Sequence, residues 1–378
     1  MISKFAFPTN IVFGCGAVME TGRLAKQLGA TSALIVTDAG VAAAGLVAPV
    51  EKSLQDAGLR TTLFSGVSPN PTEQNVTDGT EQYRQAGADF VVGVGGGSPL
   101  DAAKAIRLKV THPLALEKYD DNIGGEQKIS PEMPPMLALP TTAGTGSEVG
   151  RSAVIICNAT DRKTVIFSPY LMPTYAVCDP DLTAGMPPSI TAATGMDALT
   201  HCIEAYLALP YHPMADAIAL GGIKLCGASL KQAVEAGSDL AARADMMMAA
   251  MMGATAFQKG LGVTHSLAHP LSSIAGLHHG LANAVLLPYV LEFNAEACPT
   301  RYGDIAASLE IDRSPEAVVK WVRDTNRSIG IPDKLRTLDV QAEMIPAMLE
   351  KALQDGCHLN NPRPCRPEDF RMLYEAAV

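Results

Sequence analysis

The chain has 378 residues, 47% of them hydrophobic and 18% charged, with a formal net charge of −10. That length is more than one hydrophobic core usually serves, so two domains are expected in an ordinary globular protein. The acidic balance, with no cluster of Lys and Arg, excludes nucleic acid as the main partner, because phosphate binding wants a basic surface.

The N-terminus, Met1 to Pro8, lacks a basic start followed by a long apolar run, so it does not read as a signal peptide. Short β-branched runs then alternate with helical stretches. Ser32–Asp38, 61–67, 90–94 and Met136–Pro140 read as buried strands, and 50–57 and 76–86 have helical spacing of apolar residues. Strand and helix in alternation imply a parallel sheet covered on both faces. Residues 154–158 and 163–168, joined by a short polar link, read as a β-hairpin, and Tyr175–Cys178 as one more strand. After Met186-Pro187-Pro188 the strand pattern ends, and from Ile190 onward the sequence is helical in pattern. The expected architecture is an α/β, Rossmann-like parallel-sheet domain over 1–185, followed by an all-α helical domain over 186–378. The Met- and Ala-rich stretch 246–257 is too short to cross a bilayer and reads as a buried helix, so no membrane partner is expected. Eight scattered cysteines without a CxxC pair fit reduced thiols in a cytoplasmic protein.

Gly95-Gly96-Gly97-Ser98-Pro99-Leu100-Asp101 follows a strand and opens a helix. Glycines let the backbone turn and approach a ligand, and amides at a helix start can hold a diphosphate. Ser98 is expected as the N-cap, Pro99 as the first helical residue and Asp101 as the closing residue of a capping box. Asp38, at the carboxyl end of its strand, suits a ribose diol and would repel a 2′-phosphate, so NAD is preferred over NADP; a helix cap before Ala39-Gly40 is the alternative. A second polar loop, Thr141-Thr142-Ala143-Gly144-Thr145-Gly146-Ser147, also ends a strand, where open α/β sheets bind ligands.

Asp197 and His201 stand four apart in Gly195-Met-Asp-Ala-Leu-Thr-His-Cys-Ile-Glu-Ala-Tyr206, which on a helix places both on one face. His265 and His269 follow in one apolar helical segment, and His278 and His279 in the next. Imidazole and carboxylate together suit zinc or ferrous iron. Spacing alone does not choose among His265, His269, His278 and His279.

These motifs, in this order along almost the whole chain, resemble the iron-containing alcohol dehydrogenase family. The resemblance implies that Asp197, His201, His265 and His279 bind Fe2+, or alternatively Zn2+, and that His269 lies beside the nicotinamide and the substrate. It also implies NAD contacts at Asp38, Asn70, Gly97, Ser98, Thr141, Thr142 and Lys163, with Leu182 packing nearby, beside the Gly96, Asp101 and Thr145 that the two loops themselves suggest. His278 stands where many relatives carry Pro, and it is expected to share proton relay with His269. The reaction implied is interconversion of a small alcohol or diol with its aldehyde or ketone by hydride transfer, in a homo-oligomer of two or more chains. The rival readings are a metal- and NAD-dependent cyclising synthase and a catalytically idle binding protein. The few basic residues between 197 and 288 count against the synthase.

Overall fold

The computed structural model describes residues 7–159 and 162–378. Most of the N-terminal segment read for a signal peptide and the Thr160-Asp161 turn of the hairpin lie outside the described residues. Two compact units result, one of Phe7–Thr142 with Gly146–Gly185, the other containing Ala143–Thr145 and Met186–Val378.

The first unit is built on a parallel sheet of β1 (Asn10–Phe13), β2 (Ser32–Asp38), β3 (Arg60–Val67), β4 (Phe90–Gly95), β5 (Met136–Pro140) and β8 (Tyr175–Cys178). Its strand order is β1-β8-β5-β4-β2-β3. Successive residues of β2 point to opposite faces. Leu34 and Val36 therefore join one core with Ala102, Ala105 and Ile106, while Ala33 and Ile35 join a second with Leu24, Val50 and Leu54. Those partners lie on helices α1 (Thr21–Gln27), α3 (Val47–Asp56) and α5 (Gly97–Thr111); α2 (Ala39–Ala43) and α4 (Glu73–Gln85) complete the set. Both faces are covered, which explains why the strands read as near-continuous apolar runs. The hairpin pairs β6 (Ser152–Cys157) with β7 (Arg162–Phe167) in antiparallel register. As a four-residue edge strand, β1 carries too short a pattern to read from sequence.

The glycine loop departs from expectation. α5 begins at Gly97 with Gly96 as N-cap and no side-chain cap, so Ser98 and Pro99 already lie inside its first turn. Ser98 Oγ instead donates to the Pro69 carbonyl at 2.6 Å. Asp101 closes no capping box: its carboxylate accepts from Ser147 Oγ at 2.6 Å and from the Val154 amide at 3.0 Å. Gly95, with φ 148°, makes the earlier start possible, since a Cβ there would meet Pro99 Cγ at 2.5 Å.

The second unit is helical: α6 (Pro188–Leu207), α7 (Pro213–Glu235), α8 (Leu240–Ala256), α9 (Val263–Ile274), α10 (His279–Asn294), α11 (Pro299–Ser308), α12 (Pro315–Ser328), α13 (Ile345–Leu353) and α14 (Pro367–Ala377). Every residue of α6 from Thr191 to Leu207 is buried. Among the described residues, no helix is long and apolar enough to cross a membrane.

One buried cation ties α5 to the hairpin. Lys104 donates to Ser147 Oγ at 2.7 Å and to the Ser152 carbonyl at 2.8 Å, with the Asp101 carboxylate 3.6 Å away. Burial pulls its pKa down, against the charges of Asp101 and Glu148; burial also pushes the Glu148 carboxyl up to about 7. Lys104→Met should lower unfolding stability by about 3 kcal/mol, because it leaves buried acceptors and a carboxylate without their cation. An unchanged urea midpoint would show that the network contributes nothing.

Candidate metal centre

Three helices of the second unit converge on one point. α6 carries Asp197 and His201 one turn apart, with Glu204 three residues further along the same face. α9 carries His265 and His269 one turn apart, and α10 opens with His279. The approach of α10 to α6 requires glycine at 280, where a Cβ would lie 2.2 Å from the Ala193 carbonyl oxygen and 3.1 Å from Asp197 Cβ.

The outcome is a set of donor atoms from Asp197, His201, His265 and His279, all within 4.8 Å of one another. Asp197 Oδ1 stands 4.0 Å from His201 Nε2 and 3.6 Å from His279 Nε2. Both separations are too long for hydrogen bonds. Two ligands ~2.1 Å from a shared tetrahedral ion would stand ~3.4 Å apart. The donors, three imidazoles and a carboxylate, therefore fit a single divalent ion in both chemistry and spacing.

Electrostatics prepares the same set. Burial brings the His201 pKa down to about 4, so its ring is neutral with a lone pair to offer. Burial alone would raise Asp197, yet the neighbouring imidazoles of His201, His279 and His265 and a hydrogen bond from Asn283 hold its carboxyl down at about 2. For His265, burial is outweighed by Glu204, which accepts from Nδ1 at 2.7 Å and raises the ring's pKa. Glu204 also accepts from the amides of Gly262 at 3.0 Å and Thr264 at 2.7 Å, which fixes it at the start of α9. A carboxylate on Nδ1 leaves Nε2 to face the cluster and makes it a stronger ligand. Asn283, one turn after His279, places Nδ2 2.8 Å from Asp197 Oδ1, 3.3 Å from His265 Nε2 and 3.1 Å from His279 Nε2.

His269 lies beside the cluster rather than in it. Its ring stacks on His279 at 5.2 Å, while Nδ1 meets Asp355 Oδ2 at 2.7 Å. Asp355 also accepts from Ser266 Oγ at 2.8 Å and the Cys357 amide at 2.9 Å. His278 is an exposed N-cap residue of α10, outside the four-donor group. Phe257 packs on the His201 ring at 5.2 Å.

Glu204, Asn283 and Asp355 are additions that the structure makes to the expected site. Glu204 stands seven residues after Asp197 and three after His201, and Asn283 four after His279, so helical spacing offered a signal for both. Asp355 offered none, being 86 residues from His269.

In the α/β unit, most of the residues expected to contact a dinucleotide gather at the carboxyl ends of the strands. The strand order reverses between β2 and β4, which is where doubly wound sheets bind nucleotides. Asp38 ends β2 there and Gly95 ends β4. The Thr141 amide donates to the Gly95 carbonyl, a Cβ on Gly96 would touch Thr142 at 3.3 Å, and the Ser98 bond to Pro69 holds the Asn70 segment alongside. Asp38 also caps α2, with Oδ1 accepting from the Val41 amide at 2.9 Å. Lys163 is on the hairpin, Leu182 is buried in the short turn after β8, and Thr145 belongs to the helical unit.

A four-donor divalent site, in a chain whose other unit has a glycine loop and an acid at a sheet switch point, has the makings of a metal-assisted dehydrogenase. Residues 8–180 match the family described as iron-containing alcohol dehydrogenase, and residues 191–378 match the C-terminal part of the Fe-containing alcohol dehydrogenase family. The chain is 42% identical over 380 residues to a 4-hydroxybutyrate dehydrogenase from Cupriavidus necator, covering 98% of each. It superposes on the crystal structure of a 1,3-propanediol oxidoreductase with a TM-score of 0.96 at 37% identity, covering 100% of both chains. A sulfoacetaldehyde reductase from Bifidobacterium kashiwanohense, solved with NAD+, gives 0.92 at 29% identity, covering 100% of this chain and 99% of that one. The chain belongs to the iron-containing alcohol dehydrogenase family. It is accordingly an oxidoreductase that interconverts alcohols and aldehydes, with NAD and ferrous iron as its cofactors.

Two substitutions test the second layer of this centre. Glu204→Gln should weaken metal affinity by about 10- to 100-fold, read by chelator competition, and an unchanged affinity would remove Glu204 from the site. Gly280→Ala should lower both metal content and thermal midpoint; normal values of both would show that α10 needs no close approach.

Proposed function

We propose that Asp197, His201, His265 and His279 hold the ion and that the carboxyl edge of the sheet holds NAD, for reversible oxidation of small primary alcohols and diols. The observation that carries this reading is the convergence of those four donors within 4.8 Å. When bound, the ion supplies Lewis-acid polarisation of a substrate oxygen. The protein positions the reactants and moves the proton, while hydride chemistry belongs to the nicotinamide.

The residues divide that work. Residues 1–185 form the dinucleotide-binding domain and 186–378 the metal-binding, catalytic one. Asp38 accepts from the ribose diol through Oδ2, to which no described residue donates, and repels a 2′-phosphate. The uncapped first amides of α5, at Gly97 and Ser98, receive the diphosphate. Asn70, Gly96, Thr141, Thr142 and Lys163 contact the rest of the cofactor, and Leu182 packs near it. Asp101, held by Ser147 and Val154, keeps the loop in place rather than reaching a ligand. His269 carries the proton: Asp355 takes the Nδ1 hydrogen, which leaves Nε2 to accept or deliver. His278, exposed at the start of α10, passes protons to solvent.

Zinc suits the same donors, so metal supply decides occupancy. The reducing cytoplasm agrees with eight cysteines that form no disulfide. Edge strand β1, with Ile11 and Phe13 exposed, supports a homo-oligomer, since unpaired edges with apolar side chains favour pairing.

His265→Ala and His279→Ala should each drain bound iron and abolish NADH formation from 1-propanol; full metal content in both variants, by elemental analysis, would move the site elsewhere. Asp38→Gly should raise the ratio of NADP to NAD use by at least about tenfold by removing like-charge repulsion, and an unchanged ratio would sink that role.

A further inference from the structure

Among the described residues, two groups of His, Cys, Asp and Glu bring their donor atoms within 4.8 Å of one another. The first is the four-donor centre. The second, His269, Asp355 and Cys357, belongs to the same helical unit. Part of it reaches solvent, with 36% of the His269 side chain and 19% of the Asp355 side chain exposed, and that opening lets an ion enter.

Asp355 organises this group. Its Oδ2 meets His269 Nδ1 at 2.7 Å, and its Oδ1 accepts from Ser266 Oγ at 2.8 Å and from the Cys357 amide at 2.9 Å. Burial would raise Asp355, yet the bonds from His269, Cys357 and Ser266 hold its carboxyl well below the usual range. Burial and the Asp355 charge push the Cys357 thiol up, and its hydrogen too is directed at that carboxylate. One carboxylate thus collects an imidazole hydrogen and a thiol hydrogen side by side. A thiol is a weak hydrogen-bond donor, so a hydroxyl would serve the carboxylate better. Toward a soft cation the order reverses, because a thiolate is the stronger ligand.

Donor chemistry separates the two groups. Three imidazoles and a carboxylate accept ferrous iron or zinc, whereas one imidazole, one carboxylate and one thiolate favour zinc and other thiophilic divalent ions. Three protein ligands leave a fourth position for water. Charge also balances: the carboxylate and the thiolate offset a divalent ion, which limits its repulsion from an ion in the four-donor centre. Ligands ~2.1 Å from a tetrahedral ion stand ~3.4 Å apart, so the contact between His269 and Asp355 must open by ~0.7 Å.

We propose that His269, Asp355 and Cys357 form a second metal site, which takes a thiophilic divalent cation such as zinc and blocks turnover when it is filled. Binding removes one proton and moves another. The Cys357 thiol gives its proton to solvent and bonds the ion through Sγ. His269 Nδ1 gives its lone pair to the ion, so the hydrogen of the neutral ring moves to Nε2. One ion enters and one proton leaves. A ring with its hydrogen on Nε2 has no lone pair there to accept a proton. The blocking effect rests on the proton-carrying role given to His269 above; the site itself does not.

The test titrates the iron-loaded enzyme with Zn2+ in the absence of oxygen. It reads bound zinc and retained iron by elemental analysis, beside NADH formation from 1-propanol. Cd2+ in place of Zn2+ adds an optical signature, because thiolate-to-cadmium charge transfer absorbs in the ultraviolet and the four-donor centre has no thiolate. The expected result is one further ion per chain with iron retained, a thiolate band that grows with occupancy, and NADH formation that falls in step. In C357S the affinity for this ion should drop by more than about 100-fold, the upper end for losing only an outer-shell partner, and the band should vanish. Loss of iron in exchange for the added ion would overturn the proposal by placing the inhibition at the four-donor centre. A band and an affinity unchanged in C357S would overturn it by moving the ion to another cysteine. A second ion bound with NADH formation intact would overturn the blocking role. If no alcohol gives NADH before any ion is added, the dehydrogenase reading fails, while the ion count and the band still decide whether the site exists.

Discussion

The helical unit depends on one close approach. α10 begins against α6 at a distance that leaves no room for a side chain on residue 280, where a Cβ would fall 2.2 Å from the Ala193 carbonyl oxygen. That contact brings His279, the first residue of one helix, beside Asp197, in the middle of another. A similar constraint acts from the opposite side, since a Cβ on Gly253 of α8 would lie 2.9 Å from His201 Cβ. Glycine at helix interiors weakens isolated helices. Its presence here is explained by what each one lets approach.

Burial then sets the chemistry of the four donors. Four polar groups in an apolar unit would be destabilising without compensation, and the surroundings set the state of three of them. His201 is kept neutral by desolvation, Asp197 is kept ionised by the imidazoles and Asn283, and His265 is oriented by Glu204. Glu204 also satisfies the Gly262 and Thr264 amides, so the residue that orients His265 also holds the start of the helix carrying it. His269 and Asp355 repeat this His–carboxylate pairing just outside the donor set. The same pair type faces the donor set in one place and stands beside it in the other.

The α/β unit solves a different problem with backbone rather than side chains. Its sheet reverses order between β2 and β4, and the ends of those strands carry an acid and a glycine loop. The hairpin is fastened to this edge by Lys104 and Asp101, which use their charges internally.

Much of this was legible in the sequence because it is local. Apolar runs of strand length between helical stretches specified a parallel sheet covered on both faces, and the four-residue spacing of Asp197 and His201 placed two donors on one helix face. The glycine triplet and the acid after Val36-Thr37 stand out for the same reason. Spacing could not choose among four histidines in two neighbouring segments. Tertiary packing made that choice, turning His265 and His279 toward Asp197 while Asp355 drew His269 aside and the helix cap left His278 exposed. The start of α5 at Gly97, the role of Asp101 and the pairing of Asp355 with a residue 86 positions away were likewise decided by contacts across the fold. The sequence by itself determined which residue types and helix faces were available for a metal and a dinucleotide. Which of those side chains meet was decided only in three dimensions, because side-chain direction depends on packing between segments that no local pattern records.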